Sequence, residues 1–276
     1  MEARGEGNVL GTLFGVTKPI IGMIHVLPLP GSPRGRNCDL EHVYGRAVEE
    51  AIVLERAGVN GLLLENAGDI PFLKPDQIDY ETIGAMSVIG DRIRRATKPP
   101  FGFNIVANAA RASIACAKCS GAHFVRVNQW ANAYIANEGL IEGAASTALR
   151  YRMQIEADAT AVFADIHVKH GSHAIVADRK VAERAQDVEF FGADVLIATG
   201  SRTGDPAEVT DVEDVRAGTD RPVFVGSGLN PDNAAELLRV ADGAIVGSWF
   251  RTTGNMWGMV DLEKVSALME KVQALR

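Results

Sequence analysis

The sequence predicts an α/β protein folded as a single (β/α)8 barrel, the TIM-barrel architecture, and three observations point there. Eight short apolar runs recur along the 276 residues, each followed by a helical pattern or a loop that leads into one, as expected of βα units in series around a parallel sheet. The helix-to-strand connections are short, whereas four of the strand-to-helix connections are long, the asymmetry of a barrel whose C-terminal face carries the working loops. The last two runs, Val223-Phe-Val-Gly226-Ser227-Gly228 and Ala244-Ile-Val-Gly247-Ser248, both stop at Gly-Ser. After strands seven and eight of such a barrel, paired ends of this kind commonly hold a phosphate group on backbone N–H groups. An open doubly wound sheet is the alternative arrangement of the same units.

The expected strands cover residues 20–26, 61–66, 101–106, 123–128, 162–168, 194–199, 222–226 and 243–247, all apolar runs bounded by turn residues. Amphipathic periodicity marks helices at 41–57, 81–96, 178–191 and 261–275. A further helix is expected to run to Val240, with Asn230 as its N-cap and Pro231 as its first residue. Glycine just past a helix, as in Ser120-Gly121-Ala122 and Phe191-Gly192-Ala193, is the expected stop signal. The long loops are 27–38, rich in Pro, Gly and Arg, then 67–80, 129–143 and 200–210. Residues 1–18 read as an N-terminal extension and 19–276 as the barrel, with no repeat or interdomain linker.

Composition narrows the partners. A net charge of −7, from 28 basic and 35 acidic residues, with no Lys/Arg run longer than a pair, argues against nucleic acid and anionic membrane surfaces. No apolar run approaches the roughly 20 residues of a membrane span, and the N-terminus lacks the apolar core of a secretion signal. The expectation is therefore a cytoplasmic protein without membrane insertion, and a barrel of this size is a candidate homo-oligomer. Three cysteines suit a reducing compartment. Cys116 and Cys119 form a CxxC inside an alanine-rich helical stretch, and without a second cysteine pair they read as small buried packing residues.

Polar residues interrupt the strands where an all-apolar core would not place them. In Ala164-Asp-Ile-His-Val-Lys-His170 the alternation of a strand sets Asp165, His167 and Lys169 on one side and Ile166 and Val168 on the other. Three ionisable groups on one face of a central strand are costly unless they line a polar site, which points them into the barrel mouth. A salt-bridge network that only stabilises is the bland alternative. His25, Glu65, Asn66, Asn104, Arg126 and Asn128 stand at or near the C-terminal ends of the first four strands. Convergence of so many polar groups on one mouth favours a site.

Glu65, Asp165 and His167 are the candidate acid/base groups, with Lys169 beside them as the fourth catalytic candidate. Lys169 serves either as a cation for a charged substrate or as an amine that forms a Schiff base. His25, Asn66, Asn104, Arg126 and Asn128 are candidate substrate-binding groups. Ser201 and Arg202, in the glycine-bracketed Thr199-Gly-Ser-Arg-Thr-Gly204, would close over substrate as a hinged lid. Gly226, Ser227, Gly228, Gly247 and Ser248 are the candidate phosphate-binding residues. No cofactor is expected; a divalent metal on His25, Glu65, Asp165 and His167 is an open alternative, unsupported by compact ligand spacing.

With these residues in view, the chain resembles the BtpA family, also called the BtpA/SgcQ family. The resemblance lies in Lys18-Pro-Ile-Ile-Gly-Met-Ile-His25, Leu29-Pro-Gly-Ser-Pro33, Glu65-Asn66 with Gly68-Asp69 and Pro71-Phe72, and Arg126-Val-Asn128. It continues through Glu142-Gly143, the Ala164 to His170 segment, Thr199-Gly-Ser201 with Thr203-Gly204, Val225-Gly-Ser-Gly228 and Asp242-Gly-Ala-Ile-Val-Gly247. It covers essentially the whole chain. It implies a phosphate-binding TIM barrel of the type that includes phosphoribosylanthranilate isomerase and tryptophan synthase α. The family's namesake is implicated in photosystem I biogenesis, and a bacterial relative lies among sugar-metabolism genes. The chain departs from the family pattern after strand four, where Gln129-Trp130-Ala131-Asn132 is less polar than a loop containing His and Thr.

The expected function is catalysis on a small phosphorylated metabolite, a sugar or ribosyl phosphate, by isomerase or lyase chemistry. The rivals are a non-catalytic assembly factor for a larger complex and a hydrolase of a phosphorylated glycoside or nucleoside using Glu65 and Asp165.

Overall fold

The structure is a computed structural model and describes residues 9–200 and 207–276. Eight parallel strands close on themselves in the order β1 (Ile20–His25), β2 (Gly61–Glu65), β3 (Phe101–Asn104), β4 (Phe124–Val127), β7 (Ala161–Asp165), β8 (Val195–Ala198), β9 (Val223–Val225) and β10 (Gly243–Val246), the last pairing with β1. The barrel is thus closed rather than an open sheet. Around it stand α2 (Leu40–Arg56), α3 (Tyr80–Ala96), α4 (Ala110–Ser120), α5 (Ala145–Gln154), α6 (Val181–Phe190), α7 (Val209–Arg216), α8 (Ala234–Val240) and α9 (Leu262–Gln273). Gly121 stops α4 with φ +77°, a left-handed position that favours glycine.

Alternation along the strands builds two cores. One set of side chains, Ile20, Ile24, Leu62, Leu64 and Phe103 among them, packs with apolar residues of the helices. The other set points inward, where Ile21, Met23, Leu63, Phe124, Phe163, Ile197, Phe224 and Ile245 form a separate apolar cluster in the barrel. Gly102 makes room there, since a Cβ on it would lie 2.5 Å from the Phe124 side chain. Continuing the inward phase toward the C-terminal ends gives His25, Glu65, Asn104, Arg126 and Asp165, a polar layer on an apolar floor.

Within residues 1–18, read from the sequence as an N-terminal extension, α1 (Val9–Phe14) packs into the core. Leu10 joins the interior cluster, and the Phe14 ring meets those of Phe124 and Phe163 edge-on at 6.1 and 6.5 Å. Gly61 admits this plug, as a Cβ there would lie 2.7 Å from the Phe14 ring.

Four expectations are corrected. The run 162–168 is regular only to Asp165, because neighbouring β8 ends at Ala198 and the last paired residues are Asp165 and Ile197. The loop 129–143 contains an antiparallel hairpin, β5 (Ala133–Ala136) with β6 (Gly139–Glu142). Asn230 does accept from the N–H groups of Asp232 and Asn233, at 2.8 and 3.2 Å, yet it caps a turn, and regular helix starts only at Ala234. Cys116 is buried, its thiol pushed up to about 12 by burial, but Cys119 is exposed. No helix of the described residues is long and apolar enough to cross a membrane.

Candidate active site at the barrel mouth

The polar layer opens into a cavity of about 590 Å³ at the C-terminal face, a size that suits a small-molecule ligand. His25, Glu65, Arg126, Asn128 and Lys169 line it from the ends of β1, β2, β4 and β7, and Gly226, Ser227, Gly228, Gly247 and Ser248 line it from the turns after β9 and β10. Sequence reasoning brought these ten residues together, and the barrel puts them in one space.

Asp165 and Arg126 form the rigid base of the cavity. Arg126 Nε and Nη2 donate to the two Asp165 oxygens at 3.0 and 2.9 Å, with both side chains buried. This planar two-point grip is geometry that only a guanidinium provides. Asn128 adds a donor to Asp165 at 3.3 Å, and Asn104 donates to the Arg126 carbonyl and to Asn128 at 3.1 and 3.2 Å. Asp165 and Asn104 therefore lie beneath the cavity surface and orient its floor. With both Asp165 oxygens engaged, Glu65 and Asp165 do not make two free carboxylates facing one bond.

Glu65 and Lys169 are different, for neither side chain forms a hydrogen bond or ion pair with a described residue. Burial is the largest effect on each. It raises the Glu65 carboxyl, against the pull of Arg126 and Lys169, and lowers the Lys169 ammonium, with Arg126 adding repulsion. His25 is driven to about 3, first by burial and then by the charges of Arg251 and Lys169, so its ring is neutral at physiological pH. Its Nδ1 is buried with no partner among the described residues.

Two expected site residues, His167 and Asn66, lie elsewhere. His167 has turned away from the mouth, because the strand ends two residues before it, and lines a separate cavity of about 180 Å³ with Arg184 and Thr199. There Arg184 Nη1 donates to His167 Nδ1 at 3.0 Å, and the ring stacks on His173 at 3.8 Å. Burial, His173 and Arg184 lower it to about 4. Val168, expected to face the helices, instead lines the main cavity with Lys169. Asn66 holds the loop after β2: its amide donates to Asp69 at 3.0 Å and its carbonyl accepts from the Val106 N–H at 2.8 Å. Ser201 and Arg202 lie outside the described residues. The four-residue metal set is broken by the departure of His167, and no cluster of metal-ligating side chains occurs among the described residues.

A model of the BtpA family matches residues 16–274. The chain belongs to the BtpA family. A relative from Synechocystis, the photosystem I biogenesis protein BtpA, is 38% identical over 93% of this chain and 88% of its own. Among solved structures, tryptophan synthase from Mycobacterium tuberculosis superposes with a TM-score of 0.60 at 15% identity, covering 98% of this chain and 99% of that one. A structure of (S)-3-O-geranylgeranylglyceryl phosphate synthase from Thermoplasma acidophilum, in complex with sn-glycerol-1-phosphate, also gives 0.60, at 16% identity over 96% and 97% of the two chains. These two likenesses are of fold.

This BtpA-family mouth holds groups that sequence reading did not single out. Tyr134, on the unforeseen hairpin, enters the cavity and stacks on His173 at 5.3 Å. Phe72 and Trp249 are apolar walls, and Lys264 reaches the rim, donating to the Arg251 carbonyl at 2.8 Å and lying over the Trp249 ring. Glycine is required in the two turns. Gly228 has φ +80°, and a Cβ on Gly247 would come within 3.1 Å of the His25 ring. Among the described residues, the N–H groups of Gly228, Ser248 and Trp249 have no acceptor. They are free donors in the same cavity as Glu65 and Lys169.

Proposed function

We propose that the protein is an enzyme acting on a small phosphorylated metabolite, of the sugar phosphate or ribosyl phosphate class, by isomerase- or lyase-type acid/base chemistry. One observation carries the reading: a carboxyl and an ammonium without partners share a cavity with two glycine turns that present free N–H groups. Backbone donors of that kind suit a phosphate. With the phosphate on the turns of Ser227, Gly228, Gly247 and Ser248, the carbon chain of the ligand extends toward Glu65 and Lys169; Gly226 shapes the first turn, its own N–H being given to the Ala198 carbonyl at 2.7 Å. Glu65, whose carboxyl burial holds above its ordinary range, moves the proton. Lys169 Nζ stands at the carbonyl end of the substrate, and permanently charged Arg126 stabilises negative charge that develops on the substrate oxygen. Arg126, held by Asp165, and Asn128 orient the hydroxyl or carbonyl groups, and neutral His25 offers a further polar contact. His167 has no part in this reading.

The test is turnover across a panel of phosphorylated aldoses and ketoses, together with calorimetric binding of inorganic phosphate. Glu65→Gln should lower kcat by about 10²- to 10⁴-fold while phosphate binding persists. Absence of both turnover and phosphate binding would overturn the proposal. The name of the Synechocystis relative favours a second reading, a factor for assembly of a larger complex. Capture of one stable partner without turnover of any panel member would support it.

A further inference from the structure

Lys169 is placed unusually for a lysine that serves only as a charge. It follows β7 and enters the main cavity, where Arg126 is already a permanent cation. No carboxylate stands within ion-pair distance of its Nζ among the described residues. Asp165 is taken at both oxygens by Arg126, and Glu65 shares the cavity without touching it. A screened ammonium without a counter-ion loses hydration that nothing returns, whereas a neutral amine loses far less. Burial and the Arg126 charge both push the group toward the neutral form. A neutral lysine amine in a partly apolar cavity is a nucleophile toward carbonyl carbon. Met23, Ile70, Phe72 and Val168 supply those apolar walls.

Resting on the function proposed above, we propose that Lys169 forms an imine with the aldehyde or ketone carbonyl of a small phosphorylated substrate whose phosphate lies on the Gly228 and Gly247–Ser248 turns. The Nζ lone pair adds to the carbonyl carbon and the C=O electrons move to oxygen, which takes a proton from Glu65. A proton then leaves nitrogen for Glu65 and is passed to the departing hydroxyl, so that water is released and a protonated C=N bond remains. That cation draws electrons from the adjacent C–H or C–C bond, and Glu65 accepts the proton that is released. Hydrolysis by one water returns the amine. No oxidant or reductant is consumed.

The test uses the full chain and pyridoxal 5′-phosphate, a probe carrying both an aldehyde and a phosphate, with borohydride to reduce the C=N bond and peptide mass mapping to locate the label. The expected result at about pH 7.5, well below the ordinary lysine pKa, is near-stoichiometric label at Lys169. Inorganic phosphate should suppress it, and pyridoxal, which lacks the phosphate, should label Lys169 about tenfold less, equivalent to about 1.4 kcal/mol. Dihydroxyacetone phosphate with borohydride should add its reduced carbon skeleton at the same residue. Lys169→Met removes the amine and should bind inorganic phosphate without taking label, and matching thermal melts of the two proteins establish that the variant is folded. Label confined to other lysines, in wild-type protein that binds inorganic phosphate, would overturn the imine and leave the phosphate-site reading standing. No binding of inorganic phosphate would overturn that reading, and the imine with it.

Discussion

At the residue scale, two carboxylates at neighbouring depths of one barrel have different surroundings and therefore different duties. Asp165 is gripped at both oxygens by buried Arg126, so removing it leaves a guanidinium in the interior without a counter-charge. Breaking such a pair from one side costs about 3–5 kcal/mol. Asp165→Ala should lose stability by about that amount in urea denaturation, and a loss below about 1 kcal/mol would show that the pair is not structural. Glu65 is the opposite case. Its folded pKa is raised above the ordinary 4.5 by burial, so between those two values the folded chain holds a proton that the unfolded chain has released. Stability is then lost as pH rises through that window. Glu65→Gln should accordingly melt higher than wild type at neutral pH, with the difference closing near pH 4, about the ordinary carboxylate pKa. An equal or lower melting temperature at pH 7 would contradict a buried, unpaired carboxyl. His25 carries the reverse sign. Lowered from 6.5 to about 3, it binds a proton in the unfolded chain first, so stability falls as pH drops from 6.5 toward 3. His25→Gln should flatten that part of the stability-against-pH curve.

At the scale of elements, the barrel floor depends on α1. Leu10 is buried in the interior cluster with Met23, Phe163 and Phe224, and Leu10→Ala should destabilise by about 2–5 kcal/mol, read by chemical denaturation. A change within about 0.5 kcal/mol, the range of ordinary surface substitutions, would place α1 outside the core. This plug was unreadable in the sequence because Val9-Leu-Gly-Thr-Leu-Phe14 is too short to display helical periodicity. The strands were readable, since apolar runs between turn signals depend on local pattern. Alternation set Asp165 on the inward side, where the structure has it, and His25, Glu65, Asn104 and Arg126 were found by their place at the strand ends. The same rule failed for His167 because where a strand ends depends on its neighbour: β8 stops pairing at Asp165 and the chain turns, reaching φ +64° at His170. The β5–β6 hairpin escaped for a related reason. Ala133-Tyr-Ile-Ala and Gly139-Leu-Ile-Glu have little alternation, and their pairing becomes apparent only once they face each other, Tyr134 opposite Ile141.

For the whole molecule, an apolar floor packed against α1 lies beneath the mouth at the C-terminal face, and at that mouth the charges are divided. Glu65, Lys169 and Arg126, held by Asp165, stand at the ends of β2, β7 and β4, and the glycine turns with their free N–H groups follow β9 and β10. A phosphate held at those turns stabilises the folded barrel by mass action, about 2.7 kcal/mol at a hundredfold excess over Kd. Inorganic phosphate should therefore raise the melting temperature, and Ser248→Asp, which sets a negative charge in the cradle, should abolish the rise while leaving the ligand-free melt near that of wild type. The division of the mouth also fixes the direction of the ligand, which density for a bound molecule reports without reference to rate. A crystal structure of the protein soaked with ribulose 5-phosphate should show phosphate within hydrogen-bond distance of the Gly228 and Ser248 N–H groups and the carbonyl end against Glu65 and Lys169. Phosphate seated on Arg126 and Lys169, or bound outside the cavity, would contradict it.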